Sequence, residues 1–247
     1  MTEKEKTAVR IGHSSIDEDG RITGGRPGDQ TGREVFITDW YKKGWTVLLR
    51  PRDPGVAERM ALACEAGCAN DNIGYDQDQR NTLRARAREA GWDLSKITTP
   101  CECDCSSFMA VCAEAAGVDM EVAYSSGNAP ATRYMREKFL KTGAFEALTD
   151  KKYLTSPDWL RRGDVLVYEG HHTVMVLSDG EKEDDNTTGE EIVRKINEYT
   201  AGQKVPDWAE EELKEAVAMG ITDGSNPMGL IPRYQAAIMA KRAAKAK

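Results

Sequence analysis

Apolar and polar positions alternate along this chain in two different rhythms, and the change from one to the other divides it into elements. EVFITDWY and GWTVLLRP are rich in β-branched and aromatic residues and bounded by turn formers, which predicts strands. The segment before them, GHSSIDEDGRITGGRPGDQTG, is dense in Gly, Asp and Ser and reads as turns and loop. From Pro54 the rhythm becomes helical. Val56, Met60, Ala63 and Cys64 recur at helical spacing, and Cys64 and Cys68, four apart, share one face. NTLRARAREAGW predicts a second helix closed by Gly91. SSFMAVCAEAAG predicts a third, with Phe108, Met109, Val111, Cys112 and Ala115 as its buried stripe and Gly117 at its end. ATRYMREKFLKTG continues in helix. DVLVY and TVMVL, separated by Glu-Gly-His-His, then predict a hairpin. Helices followed by a hairpin imply an α+β domain with its helices on one side of an antiparallel sheet.

After Gly180 the pattern stops. EKEDDNTTGE is acidic and aperiodic, which predicts a linker over 181–190. Beyond it EEIVRKINEYTAG, PDWAEEELKEAVAMG and IPRYQAAIMAKRAA predict three short helices, the second with Asp207 as N-cap and Gly220 closing it. The expected organisation is a domain over 1–180 and a small all-α domain over 191–247.

Composition narrows the possible functions. No apolar run in the 247 residues approaches the ~18 that a membrane span needs, so membrane insertion is not expected. The amino terminus is charged and has no apolar core of a signal peptide. A net charge of −7 disfavours nucleic acid as a partner, since phosphate binding rests on surplus Lys and Arg. Arg80, Arg84, Arg86 and Arg88 read as a solvated helix face, and Lys241, Lys245 and Lys247 as a tail.

The six cysteines are the main chemical signal, because a chain of this length needs no disulfide staples. Cys64, Cys68 and Cys112 fall at apolar helical positions and read as small core hydrophobes. Cys101, Cys103 and Cys105 form C-x-C-x-C, which lacks the spacing of a structural zinc site. Neither a metal nor another cofactor is expected. Cys105 instead follows Asp104 at the start of a predicted helix, where free N–H groups favour a thiolate. Cys101 and Cys103 are either spectators or oxidation partners of Cys105. The acidic strings IDEDG and ANDNIGYDQDQR lack the ligand periodicity of a calcium loop and read as turns. A thiol nucleophile needs a base, and the chain offers only His13, His171 and His172. The last two enter the strand TVMVL, where a side chain at a strand start can face a helix start.

These residues resemble a known family. Asp104-Cys105-Ser106-Ser107-Phe108 is similar to the nucleophile motif of NlpC/P60 peptidoglycan hydrolases and related phage cell-wall amidases. Arg162-Gly163-Asp164-Val165-Leu166-Val167 and His172-Thr173-Val174-Met175-Val176-Leu177-Ser178-Asp179-Gly180 resemble its two following strands, in the same order and at a separation within the family's range. The resemblance covers roughly 100–180. It implies a papain-like fold, a Cys105 nucleophile, a His172 base and an endolysin acting on bacterial peptidoglycan without a metal. The bond implied is an amide of the stem peptide, with an endopeptidase favoured over an N-acetylmuramoyl-L-alanine amidase. A non-catalytic wall-binding protein is the reading from a different class. Such an enzyme is made in the host cytoplasm and acts at the wall after release.

The chain also departs from the family pattern. WDLSKITTP contains no Tyr where many members carry one, and no strand follows to supply a third polar residue, leaving His13, Asp29 and Gln30 as candidates from the amino-terminal segment. His171 reads as a loop residue or substrate contact, and Tyr75 as a possible groove residue. Near the carboxy terminus, Pro206-Asp207-Trp208-Ala209, Gly220-Ile221-Thr222-Asp223-Gly224 and Ile231-Pro232-Arg233-Tyr234 resemble one shortened S-layer-homology repeat, which implies binding to wall polymers. The alternative is a helix set that docks on the main domain.

Overall fold

In a computed structural model of the chain the described residues are 8–182 and, further along, 194, 196, 198–200, 204–222, 224, 240, 241 and 243. Two compact units emerge, Met1–Glu183 and Asp184–Lys247. Most of the expected linker, the first and third of the carboxy-terminal helices and the Ile231-Pro232-Arg233-Tyr234 motif fall largely or wholly outside the described residues. Of the second unit, the helix Asp207–Ala218 is described. Its N-cap is Pro206, so Asp207 opens the helix instead of capping it, and Gly220 lies just past its end with φ of 68°.

The first unit is α+β. Its main sheet contains β1 (Arg10–Ser14), β2 (Val35–Asp39), β3 (Val47–Pro51), β6 (Phe145–Leu148), β7 (Val165–Tyr168) and β8 (His172–Val176), all antiparallel, in the order β2-β1-β8-β7-β3-β6. A separate parallel pair joins β4 (Ile73–Tyr75) to β5 (Cys101–Cys103). The helices are α1 (Pro54–Cys68), α2 (Thr82–Glu89), α3 (Cys105–Ala115), α4 (Thr132–Lys141) and α5 (Lys151–Thr155). Asp53 caps α1 by accepting from the Gly55 N–H at 2.7 Å, with Pro54 in the first position, where its missing N–H is harmless. No helix among the described residues is long and apolar enough to cross a membrane.

Strand alternation sends side chains to two cores. Val47, Leu49, Val165, Val167 and Met175 join Phe108, Met109 and Cys112 of α3 and Met60 and Cys64 of α1. Leu48, Leu166, Val174 and Val176 point the other way and pack with Ile11, Trp45, Tyr153 and Leu160. The sheet is thus covered on both faces, and the expectation of helices on one side holds only for the larger layer. Aromatic residues of the β2–β3 connection and the segment around α5 cover the other.

Gly12 is the point of closest approach between β1 and α1. A Cβ there would lie 2.5 Å from the Cys64 sulfur and 3.3 Å from that of Cys68. Only a residue without a side chain lets the strand sit against this helix.

The arginines expected on a solvated face divide. Arg84 is buried in an ion pair with Glu114 at 2.5 Å, its guanidinium over the Tyr124 ring, and Arg80 is bound at the start of α3. Arg86 is half-buried and Arg88 exposed. Burial of Arg84 is made tolerable by the carboxylate that receives its fork, a pairing that helical periodicity cannot show.

Candidate active site

Cys105 is the first residue of α3, and the cap holding that helix is complete. Asp104 Oδ1 accepts from the N–H groups of Ser106 at 3.1 Å and Ser107 at 2.7 Å, while the Asp104 N–H donates to Ser107 Oγ at 2.8 Å. Arg80 locks this corner. It pairs with Asp104 Oδ2 at 2.7 Å, donates to Ser106 Oγ at 2.7 Å and reaches the Ala129 carbonyl at 3.0 Å. The N–H groups of Ser106 and Ser107 are thus bonded to Asp104, that of Ser106 also acting on the Cys105 thiol, and the helix-start amide outside the cap is that of Cys105 itself.

The backbone N–H of Thr173, the residue after His172, acts on the Cys105 thiol and favours its ionised form, which sets the nucleophile candidate beside the beginning of β8. Burial pushes the Cys105 thiol up to about 12. The Asp104 charge adds to that push, and the Thr173 N–H, Arg80 and the Ser106 N–H oppose it. The expected thiolate is thus corrected to a resting thiol, because desolvation outweighs the helix start.

His172 is buried, and its Nε2 lies 3.0 Å from Nδ1 of His13 on β1. Burial, then the neighbouring His13 and Lys43, push His172 down to about 3. Burial, then Lys43, push His13 down to about 4. Both rings are neutral at neutral pH. One tautomer pair suits a base at position 172: Nε2–H of His172 donates to Nδ1 of His13, which leaves the His172 Nδ1 lone pair open. Around the pair, Trp45 stacks on His172 with centroids 6.4 Å apart and planes at 28°, Phe36 lies 4.6 Å from His13, and Tyr41 lies 6.1 Å from His13. No direct hydrogen bond joins Cys105 to His172 among the described residues.

Of the third-residue candidates the structure brings only His13 to the site. The Asp29 carboxylate is spent on its own loop, accepting from Gly32 at 2.7 Å and Glu34 at 2.9 Å. Gln30 donates to the Pro27 and Gly28 carbonyls. His171 is exposed and stacks on Tyr168 at 4.1 Å. Tyr75 is buried, accepts from Gln77 at 3.0 Å and feels the charges of Cys105 and Asp104. All six cysteines are free thiols. Cys101 and Cys103 are buried in β5, with Cys103 against Ser14 Oγ at 3.4 Å. The acidic strings form turns in part: Asp17 accepts from Arg21 at 2.6 Å and Asp76 from Asp78 at 2.6 Å, but the centre of the second string is strand β4. Among the described residues no three His, Cys, Asp or Glu side chains are arranged to hold a metal ion.

Three residues at the site carry no motif. Arg80, expected on a solvated helix face, is held at the start of α3 instead. Tyr41 and Trp45 lie in WYKKGWT, where aromatic density around a glycine turn is the available signal. Elsewhere in the unit Glu102 is buried on β5, accepting from the Gly28 N–H at 2.9 Å. Burial first, then Glu34, Asp76 and Glu18, push it up to about 8 against that single donor.

A family model described as an endolysin-like domain matches residues 11–183. No curated protein and no solved structure matches the chain. The matched span runs from β1 through β8, and so includes Cys105 and both histidines.

Proposed function

The chain belongs to the endolysin-like domain family, and from that premise we propose that it is a peptidoglycan hydrolase whose Cys105 attacks an amide carbonyl of the stem peptide, with His172 carrying the proton. The observation that carries the reading is His172 Nε2 at 3.0 Å from Nδ1 of His13, at the start of β8, where the following backbone N–H, that of Thr173, acts on the Cys105 thiol.

In this mechanism the sulfur turns to the imidazole. Its proton passes to Nδ1 of His172 as the C–S bond forms, so a buried thiolate never has to stand alone. The imidazolium donates through Nε2 to His13, and the neutral second ring accepts without adding charge. The Cys105 N–H faces the developing oxyanion. Collapse expels the amine, which takes the proton from His172. Water, deprotonated by the same ring, then cleaves the thioester and regenerates the thiol.

Within this reading 1–180 form an NlpC/P60-type, papain-like hydrolase domain, 181–190 a linker and 191–247 a wall-binding module of S-layer-homology type. The enzyme is made in the host cytoplasm and acts at the wall as an endolysin. An endopeptidase is favoured over an N-acetylmuramoyl-L-alanine amidase. Mass spectrometry of digested walls separates them: a new amino terminus within the stem means endopeptidase, and an intact released stem means amidase.

One observation favours a second reading. Burial holds the Cys105 thiol well above neutrality, which also suits a wall-binding protein without hydrolysis. Cys105→Ala and His172→Ala, assayed for wall clearing with wall binding measured in parallel, decide. Clearing lost with binding retained supports the hydrolase, and clearing unchanged in either variant refutes the Cys/His assignment.

A further inference from the structure

Lys43 is exposed on the connection between β2 and β3, and its ammonium lies 5.7 Å from the centre of the Tyr41 ring. That ring lies 6.1 Å from His13 and 6.0 Å from Trp45, which itself stacks on His172. The ammonium makes no hydrogen bond or ion pair with any described residue. Arg80, at the thiol end of the site, is by contrast fully engaged by Asp104, Ser106 and the Ala129 carbonyl. The charge of Lys43 reaches both imidazoles and pushes both down, so it stands on the histidine side of the site. A cation without an ion-pair partner among the described residues, in a chain whose net charge is −7, selects for a negative group on whatever enters. The aromatic face beneath supports the ammonium and leaves its N–H groups free to donate.

We propose that Lys43 is a specificity-determining residue, receiving a carboxylate carried by the leaving-amine half of the substrate peptide. The inference rests on the hydrolase reading above, because the half of the substrate that departs with the His172 proton is the half that lies on the histidine side. Stem peptides offer such groups as free side-chain or terminal carboxylates, and amidation of those groups removes the charge while keeping the shape. Lys43 therefore discriminates between a free acid and its carboxamide, one part of wall chemistry that varies without altering the cut bond.

The test uses one purified muropeptide that the full-length protein cleaves, in two forms: with the carboxylates on the leaving side free, and with them converted to carboxamides. The measured quantity is kcat/KM for each form, with wild type, Lys43→Gln, Lys43→Arg and Lys43→Glu. Wild type and Lys43→Arg are expected to prefer the free acid by about fivefold, the scale of a partly solvated charge contact. Lys43→Gln should lose the preference, chiefly through KM, and Lys43→Glu should reverse it. Equal cleavage of both forms by wild type, or an unchanged preference in Lys43→Gln, overturns the proposal and leaves the hydrolase reading standing. If no muropeptide from a range of walls is cleaved by the wild-type protein, the hydrolase reading falls and the proposal with it.

Discussion

His13 Nδ1 and His172 Nε2 face each other at 3.0 Å, the two rings meeting edge to face with their centroids 5.2 Å apart. A ring held this way cannot flip without breaking a buried contact, so the nitrogen that faces away from His13 is fixed as Nδ1. Replacing His13 by Ala should lower kcat by roughly ten- to a hundredfold, the usual effect of losing an orienting partner. His13→Gln, which can still accept from Nε2–H, should recover much of that loss. Steady-state kinetics on a soluble muropeptide checks both, and equal rates for His13→Ala and wild type would remove His13 from the mechanism.

The acid limb of activity should lie unusually low. A free imidazole protonates near 6.5, whereas burial and Lys43 hold His172 down at about 3 and His13 at about 4. The base is therefore unprotonated throughout the mildly acidic range. The profile of kcat/KM should stay level down to pH 5 and fall only below about 4. A fall centred near 6.5 would show the rings to be solvated. Stability runs with the same sign: the unfolded chain takes up protons on these rings first, so their contribution is complete above 6.5 and is lost as pH drops toward 4 and then 3.

Glu102 acts in the opposite sense. Its folded value of about 8 stands above the ordinary 4.5, so the folded protein retains a proton that the unfolded chain has lost. This contribution is fully present below pH 4.5 and declines to nothing as pH rises through 8. Glu102→Gln keeps the acceptor for the Gly28 N–H and removes the titration. Urea unfolding at pH 6 and pH 9 should show wild type losing stability between the two and the variant losing less; parallel curves would mean that Glu102 is ionised when folded.

Much of the helical layer is legible in the sequence because its determinants are local. Asp53-Pro54 starts α1, Asp104 with Ser107 starts α3, and apolar spacing marks the buried faces. β1 is not legible. In RIGHS a single large apolar residue, Ile11, is followed by Gly12, and what makes the segment a strand is its place between β2 and β8. The motif residues Cys105 and His172 could be found from their neighbours. The His13 contact and the Arg80 lock could not, since each depends on chain segments joined only by tertiary folding.

Arg80 predicts a coupled defect. Arg80→Gln leaves Asp104 buried with one cation fewer, which should destabilise the first unit by about 3 kcal/mol. It also removes a charge that lowers the Cys105 thiol. At a temperature where the variant remains folded, iodoacetamide should label Cys105 more slowly than in wild type, read by peptide mass mapping. Faster labelling would mean that loosening of the helix start dominates over the lost charge.

Gly12 offers a test of packing. Gly12→Ala should destabilise the protein by about 1–3 kcal/mol through overlap with the Cys64 sulfur. In the double variant with Cys64→Ala the combined loss should be smaller than the sum. Thermal unfolding of the four proteins gives the coupling, and strict additivity would place the strain elsewhere.

The sheet order has one more consequence, for the timing of synthesis. Among the described residues β1 is the first strand and β8 the last, yet they are neighbours, and the two histidines they align are 159 residues apart. A nascent chain carries His13 and Cys105 long before it carries His172. The two histidines meet only when β8 takes its place between β1 and β7, so on the proposed mechanism a translation product that ends before β8 carries the thiol without its base.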